Sequence, residues 1–195
     1  ELSEAALAVF EALGASVEPV AAPFPAAAIW GSWNTLRGWS SAARLGPHYD
    51  DPATRALLKP EAIWEIEQGL ALTAADVQRG SALRSDWFRA AARMFADYDA
   101  LVLPTAQVWP FPANRDWPKA INGVAMDTYH RWMEVVVPVS LLGLPCVNLP
   151  AGFGANGLPG GVQLFGPRGA DRMLLQMAQG YHDATDWPGR RPPAL

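Results

Sequence analysis

Lysine is almost missing from this chain: Lys59 and Lys119 are the only two among 195 residues, and Cys146 is the single cysteine. Acidic residues outnumber basic ones, 19 to 15, for a formal net charge of -4. A chain so poor in clustered cations has no electrostatic means of gripping a phosphate backbone, so no nucleic-acid partner is expected. One cysteine rules out an internal disulfide framework and fits a reducing compartment. No stretch approaches the roughly 18 consecutive apolar residues of a membrane span, and the N-terminus lacks the basic-then-apolar order of a secretory leader. The expectation is a soluble, cytoplasmic protein without a membrane partner.

Several chemical signatures are missing too. Neither GxGxxG nor GxxxxGK[ST] occurs, which removes the usual phosphate cradles, and there is no GxSxG turn to present a serine nucleophile. His48, His130 and His182 stand far apart, with no HExxH, CxxC or DxDxDG spacing around them, so neither a metal nor another cofactor is implied.

What the chain does have is a half-hydrophobic composition with only 17% charged residues, enough for one compact domain or a large part of one, here taken as residues 1–195. It opens on Glu1, already in a helical pattern, as though something preceded it. Leu2, Ala6, Val9, Phe10 and Leu13 share a helical face and Gly14 ends the run. SVEPV (16–20) reads as a short strand. Phe24 to Tyr49 reads as helix, with Trp30, Trp33 and Trp39 on a buried or ligand-facing side, and a further helix is expected over Glu61 to Ala71. Thr73 to Asp76 forms a capping signature ahead of a long amphipathic helix carrying Leu83, Trp87, Ala91, Met94, Phe95 and Tyr98.

That helix leads into ALVLP (100–104), an apolar run without alternation that predicts a strand covered on both faces. Thr105 to Pro118, rich in proline and aromatics, is expected to be a stiff loop, and loops leaving a buried strand are where α/β sheets place their sites. A helix is expected from Asp127, capped by that side chain and carrying Tyr129, Trp132, Met133 and Val136, with Pro138 kinking or ending it. CVNLP and GVQLF read as two strands joined through Asn156-Gly157. A final helix spans Arg172 to His182 with Asp171 as its cap and Leu174, Met177, Ala178 and Tyr181 inward. The tail RRPPAL is expected to fray.

Candidate nucleophiles are few. Ser40-Ser41 lacks a glycine-rich turn to supply oxyanion amides, so two polar residues on a helix is the preferred reading. Asp127, Thr128 and His130 lie too close along one helix to converge on a reacting atom. Cys146 reads as a small buried hydrophobe, having no nearby cation to activate it.

The order of segments is informative. DYDALVLPTAQVWPFP, INGVAMDTYHRWM and VSLLGLPCVNLPAGFGANGLPGGVQLFGPRGADRMLLQMA together resemble the C-terminal portion of the amidase signature family, and AVFEALGASVEPV and PEAIWEIEQGLALTAADV fit its preceding part. The resemblance implies an α/β/α fold with a mixed sheet covered by helices, CVNLPAGF and GVQLFGP being neighbouring late strands. It also implies hydrolysis of carboxamides through a serine nucleophile, a bridging serine and a lysine base, all N-terminal to the region this chain resembles. Neither lysine here stands in the family's lysine context, so no catalytic residue is assigned and this polypeptide alone is expected to be inactive.

Substrate-binding candidates, chosen by chemistry and position, are Gln107, Trp109, Phe111, Trp117 and Tyr129. Three readings follow. The chain is the scaffold and part of the pocket of an amidase acting on a small amide; or a non-catalytic binding module, prone to self-association through an open sheet edge; or one half of an amidotransferase-like pair, complemented by a separate chain that carries the signature half.

Overall fold

The computed structural model describes residues 1–190, which fall into two compact units, Ala22–Ala91 and Glu1–Ala21 with residues 92 onward.

The first of these units is all helix. Helix α2 (Ala26–Asp50) and α4 (Pro60–Leu70) pack together, joined by the short α3 (Pro52–Arg55), and α5 (Ala74–Met94) begins in this unit. Two glycines allow α2 and α4 to touch backbone to backbone: a Cβ placed on Gly69 would stand 2.0 Å from Gly38 O. Ser32 Oγ crosses to Gly80 O at 2.8 Å. The Ser41 hydroxyl is buried and donates to Glu65 Oε2 at 3.2 Å, while the Arg37 guanidinium pairs with the same buried carboxylate. Ser41 is thus a hydrogen-bonded packing residue and Ser40 is exposed. Trp30 is buried, but Trp39 is half exposed, because nine residues of α-helix turn a side chain to the opposite face. The expected cap of α5 is present as a reciprocal box: Thr73 N–H donates to Asp76 Oδ2 at 2.8 Å and Asp76 N–H to Thr73 Oγ1 at 3.2 Å. Phe95 and Tyr98 fall beyond the helix end at Met94.

The other unit is built on a three-stranded antiparallel sheet in the order β1 (Leu101–Pro104), β5 (Pro159–Phe165), β4 (Cys146–Phe153). Its register, Val162 opposite Leu149 and Leu164 opposite Val147 on one side and Val102 on the other, puts every second residue on one face. That face packs under α1 (Leu2–Ala12) and α7 (Asp171–Thr185), forming a core with Ala6, Phe10, Leu174 and Tyr181. Burying a side chain such as Phe10 or Leu174 contributes about 2 kcal/mol. Tyr181 stacks on Phe10 with ring centroids 5.0 Å apart and spends its hydroxyl on Pro150 O at 3.1 Å. The expected helices α1, α2, α4, α5 and α7 and the β4–β5 strand pair are therefore present, in an α/β arrangement.

Other expectations fail for local reasons. Residues 16–20 form no strand, since no strand among the described residues pairs with them. β1 is half-buried along its length, not covered on both faces. Asp127 starts no α-helix: bends run to His130, then a 3-10 helix, Arg131–Val136. Its carboxylate instead bonds to Arg131 Nε at 2.9 Å, which holds the acid below its ordinary pKa. Pro138 does not end a helix but sits in the first turn of one, α6 (Val137–Leu142), where its missing N–H costs nothing. The cap of α7 is Ala170, leaving Asp171 inside the first turn. A hairpin unforeseen in the sequence, β2 (Ala120–Ile121) and β3 (Val124–Ala125), turns through Asn122 and Gly123 with φ of 47° and 79°, the geometry Asn-Gly favours. The short α8 (Trp187–Arg190) closes the described chain; the rest of the tail expected to fray lies outside the described residues.

Candidate functional site

The sheet face turned away from the core floors a cleft of about 1530 Å³. Cys146, Asn148 and Pro150 of β4 and Gly161 and Gln163 of β5 are the alternate residues of these strands, and all line it. Its walls come from two segments with little freedom. One is the loop from Pro104 to Phe111, stiffened by Pro104 and Pro110; the other is the 3-10 helix, which contributes Trp132 and Val136.

The glycines of AGFGANGLPGG make room for the first wall. A Cβ on Gly154 would lie 2.5 Å from Trp109 Cη2, and one on Gly161 would lie 2.8 Å from Thr105 Oγ1. Bare backbone under the Trp109 indole at 154 and under the Thr105 side chain at 161 is why side chains are lacking there, whereas positive φ is required at Gly157, 73°, and at Gly152, 107°. Phe111 meets Trp132 edge to face at 5.3 Å, joining the two walls through aromatic contact.

Of the five sequence candidates, Gln107, Trp109 and Phe111 line this cleft, whereas Trp117 and Tyr129 do not. Trp117 lies under the Lys119 ammonium, 3.3 Å from its ring centroid, and Tyr129 lies against the ring of His130. Gln107 uses both ends of its carboxamide on protein backbone: Nε2 donates to Arg131 O at 2.9 Å and Oε1 accepts from Val135 N at 3.0 Å. It also borders a smaller hollow of about 480 Å³ beneath the β2–β3 hairpin.

Trp132, Asn148 and Gln163 also line the cleft. Strand alternation was the signal available for the β4 and β5 members. The same alternation corrects Cys146, which is exposed on the cleft side and not buried in the core. Partial desolvation nonetheless pushes its thiol pKa up, away from the reactive thiolate.

Electrostatically the lining is nearly neutral, Glu1 and Cys146 being its only titratable side chains among the described residues. No described histidine or lysine lines it, so none of them offers a general base to the space. His130 is 2% exposed and is not among the lining residues. Among the described residues no three His, Cys, Asp or Glu side chains gather as a metal site, and no helix is long and apolar enough to cross a membrane. The arrangement can hold a neutral, partly aromatic molecule against an exposed carboxamide and a thiol.

An antiparallel sheet with helices on one face and a near-neutral, aromatic cleft on the other makes this unit an α/β scaffold. Residues 1–175 match the family model described as Amidase, and the chain belongs to the amidase family. An acylamidase from Rhodococcus erythropolis is 29% identical over 191 residues, covering 96% of this chain and 39% of that protein. A glutamyl-tRNA(Gln) amidotransferase component from Streptococcus equi subsp. zooepidemicus (strain H70) is 35% identical over 100 residues, 51% of this chain and 19% of that one. A bacterial aryl acylamidase of the amidase signature enzymes superposes with a TM-score of 0.83 at 24% identity, over 98% of this chain and 42% of its own. The chain thus spans about two fifths of the acylamidase and less of the amidotransferase component.

Proposed function

We propose that this chain forms the acyl-amide pocket of a carbon–nitrogen hydrolase and that the groups attacking the amide carbonyl come from residues outside the 195. The near-neutral lining of the large cleft carries this reading: Trp109, Phe111 and Trp132 offer apolar area, Asn148 offers a neutral polar contact, and no described histidine or lysine lines the space to activate a nucleophile. The partial coverage of the acylamidase supports the second half of the statement. In the complete enzyme the nucleophile would add to the carbonyl, expel the amine and pass the acyl group to water, with the cleft holding the substrate in line. The natural partner is then the remainder of the enzyme together with a small amide, in a reducing, cytoplasmic setting that agrees with a single unpaired thiol.

A lining without a cationic side chain among the described residues favours an uncharged acyl group over a zwitterionic or glutamyl one, because a carboxylate desolvated there would find no side-chain counter-ion. The test uses Cys146 as a reporter in the purified chain. Acetanilide, a neutral aryl amide, is expected to slow alkylation of Cys146 by N-ethylmaleimide in a saturable manner, and free glutamine to leave it unchanged. Equal protection by both, or by neither, refutes the reading.

A further inference from the structure

Gln163 occupies the central strand, with Leu103 opposite it on one side and Asn148 on the other. Its side chain is 3% exposed and lies at the base of the cleft. The Nε2 group donates twice, to Pro104 O at 2.9 Å and to Val135 O at 3.1 Å. These acceptors belong to the two opposing walls. Pro104 is the residue from which the Thr105–Phe111 wall leaves the sheet, and Val135 lies in the 3-10 helix that carries Trp132 and Val136.

We propose that Gln163 is a positioning residue that sets the separation of the cleft walls, and through it the width of acyl group the cleft admits. This rests on the reading of the cleft as an amide pocket. The chemistry of the position is restrictive. Two acceptors must be served by one planar NH₂, which among neutral side chains only a carboxamide supplies; asparagine is a methylene too short, leucine has no donor, and an ionised carboxylate would face two carbonyl oxygens with like partial charge. The apolar core lies on the other face of the sheet, so loss of these two bonds acts first on the walls. Gln107 completes the restraint by binding the N–H of the same Val135, so the 3-10 helix is tied to the sheet floor and to the loop wall at one residue.

The experiment uses the 195-residue chain labelled with 5-fluorotryptophan, with the Trp132 resonance assigned by Trp132→Phe, in Gln163→Leu and Gln163→Glu backgrounds. The expected result is a displaced or broadened Trp132 resonance in both unliganded variants. Acetanilide protection of Cys146 should weaken about tenfold, the effect of one ordinary hydrogen bond lost. In Gln163→Glu both effects should reverse in part as pH falls, since the protonated carboxyl donates again to one of the two acceptors, while the parent chain stays flat. A Trp132 resonance unchanged in both variants overturns the proposal. So does a Gln163→Glu chain that unfolds as a whole at high pH with no shift of Trp132 within the folded state, which marks a purely structural role; this also decides the matter if Gln163→Leu fails to fold. Failure of acetanilide to protect the parent chain sinks the pocket reading alone, because the unliganded Trp132 resonance still reports on wall position.

Discussion

Gln107 and Gln163 grip the same residue through its two backbone groups: Gln107 Oε1 accepts from Val135 N at 3.0 Å, and Gln163 Nε2 donates to Val135 O at 3.1 Å. Two carboxamides from distant segments thereby fix one turn of irregular helix whose own 3-10 bonding would hold it weakly. The wall carrying Trp132 is bonded through these side chains to the loop and to the sheet.

Glycine at 154 is expected to be essential for the other wall. In Gly154→Ala the new methyl would fall 2.5 Å from Trp109 Cη2 and 2.9 Å from Asn156 Oδ1, so the indole must leave its seat. Cys146 alkylation should lose its acetanilide dependence while the far-ultraviolet circular dichroism of the chain is retained. Unaltered protection would show that Trp109 is not part of the wall.

The α2–α4 contact is asymmetric, and the asymmetry is testable. Gly69→Ala drives a methyl to 2.0 Å from Gly38 O and is expected to destabilise by about 3 kcal/mol or more, as overpacking does. Gly38→Ala places its methyl at an ordinary 3.5 Å and should be close to neutral, because better helix propensity of about 1 kcal/mol offsets any crowding. Urea unfolding of the two variants should separate them clearly; equal losses would contradict the packing described.

Ser41 is expected to matter for stability and not for chemistry. Ser41→Ala removes a buried donor to Glu65 and should cost about 1 kcal/mol in chemical denaturation. In a complete, active enzyme the same change should leave turnover unaltered. A loss of turnover without a loss of stability would reopen Ser41 as a nucleophile.

The cap of α5 carries a pH signature. The Thr73 hydroxyl, and then the Thr73 N–H, hold the Asp76 carboxyl below its ordinary pKa. A depressed folded pKa means that the stabilisation is complete above the unfolded value and is lost as pH falls from there through the folded one. Thr73→Ala should therefore flatten the acid limb of the stability profile and return the Asp76 titration, followed by carboxylate NMR, toward the free value. An identical acid limb in the variant would contradict this.

Much of the architecture was readable in the residues, and the failures share a cause. The α1, α5 and α7 patterns repeat turn after turn, so their helices follow from spacing alone, and Thr73-x-x-Asp76 announced its own box. Where structure depends on a distant partner, local pattern misleads. The aspartate at 127 resembles a cap until Arg131 is found beside it, and SVEPV has the composition of a strand but no described neighbour to pair with. The site was half legible. Pro-rich and aromatic composition pointed to residues 105–118, of which the stretch to Phe111 lines the cleft; Trp117 and Tyr129, chosen by the same chemistry and position, are not among its lining residues. Gln163 was hidden because a polar residue in an apolar strand shows its purpose only when its two acceptors are in place.

The most direct test of the whole account is to incubate the purified 195-residue chain with acetanilide and follow both Cys146 alkylation and free aniline. Binding that protects the thiol, with aniline formed no faster than in buffer, is the predicted result. Aniline released at an enzymatic rate by this chain alone would contradict the claim that it shapes the pocket while another segment breaks the bond.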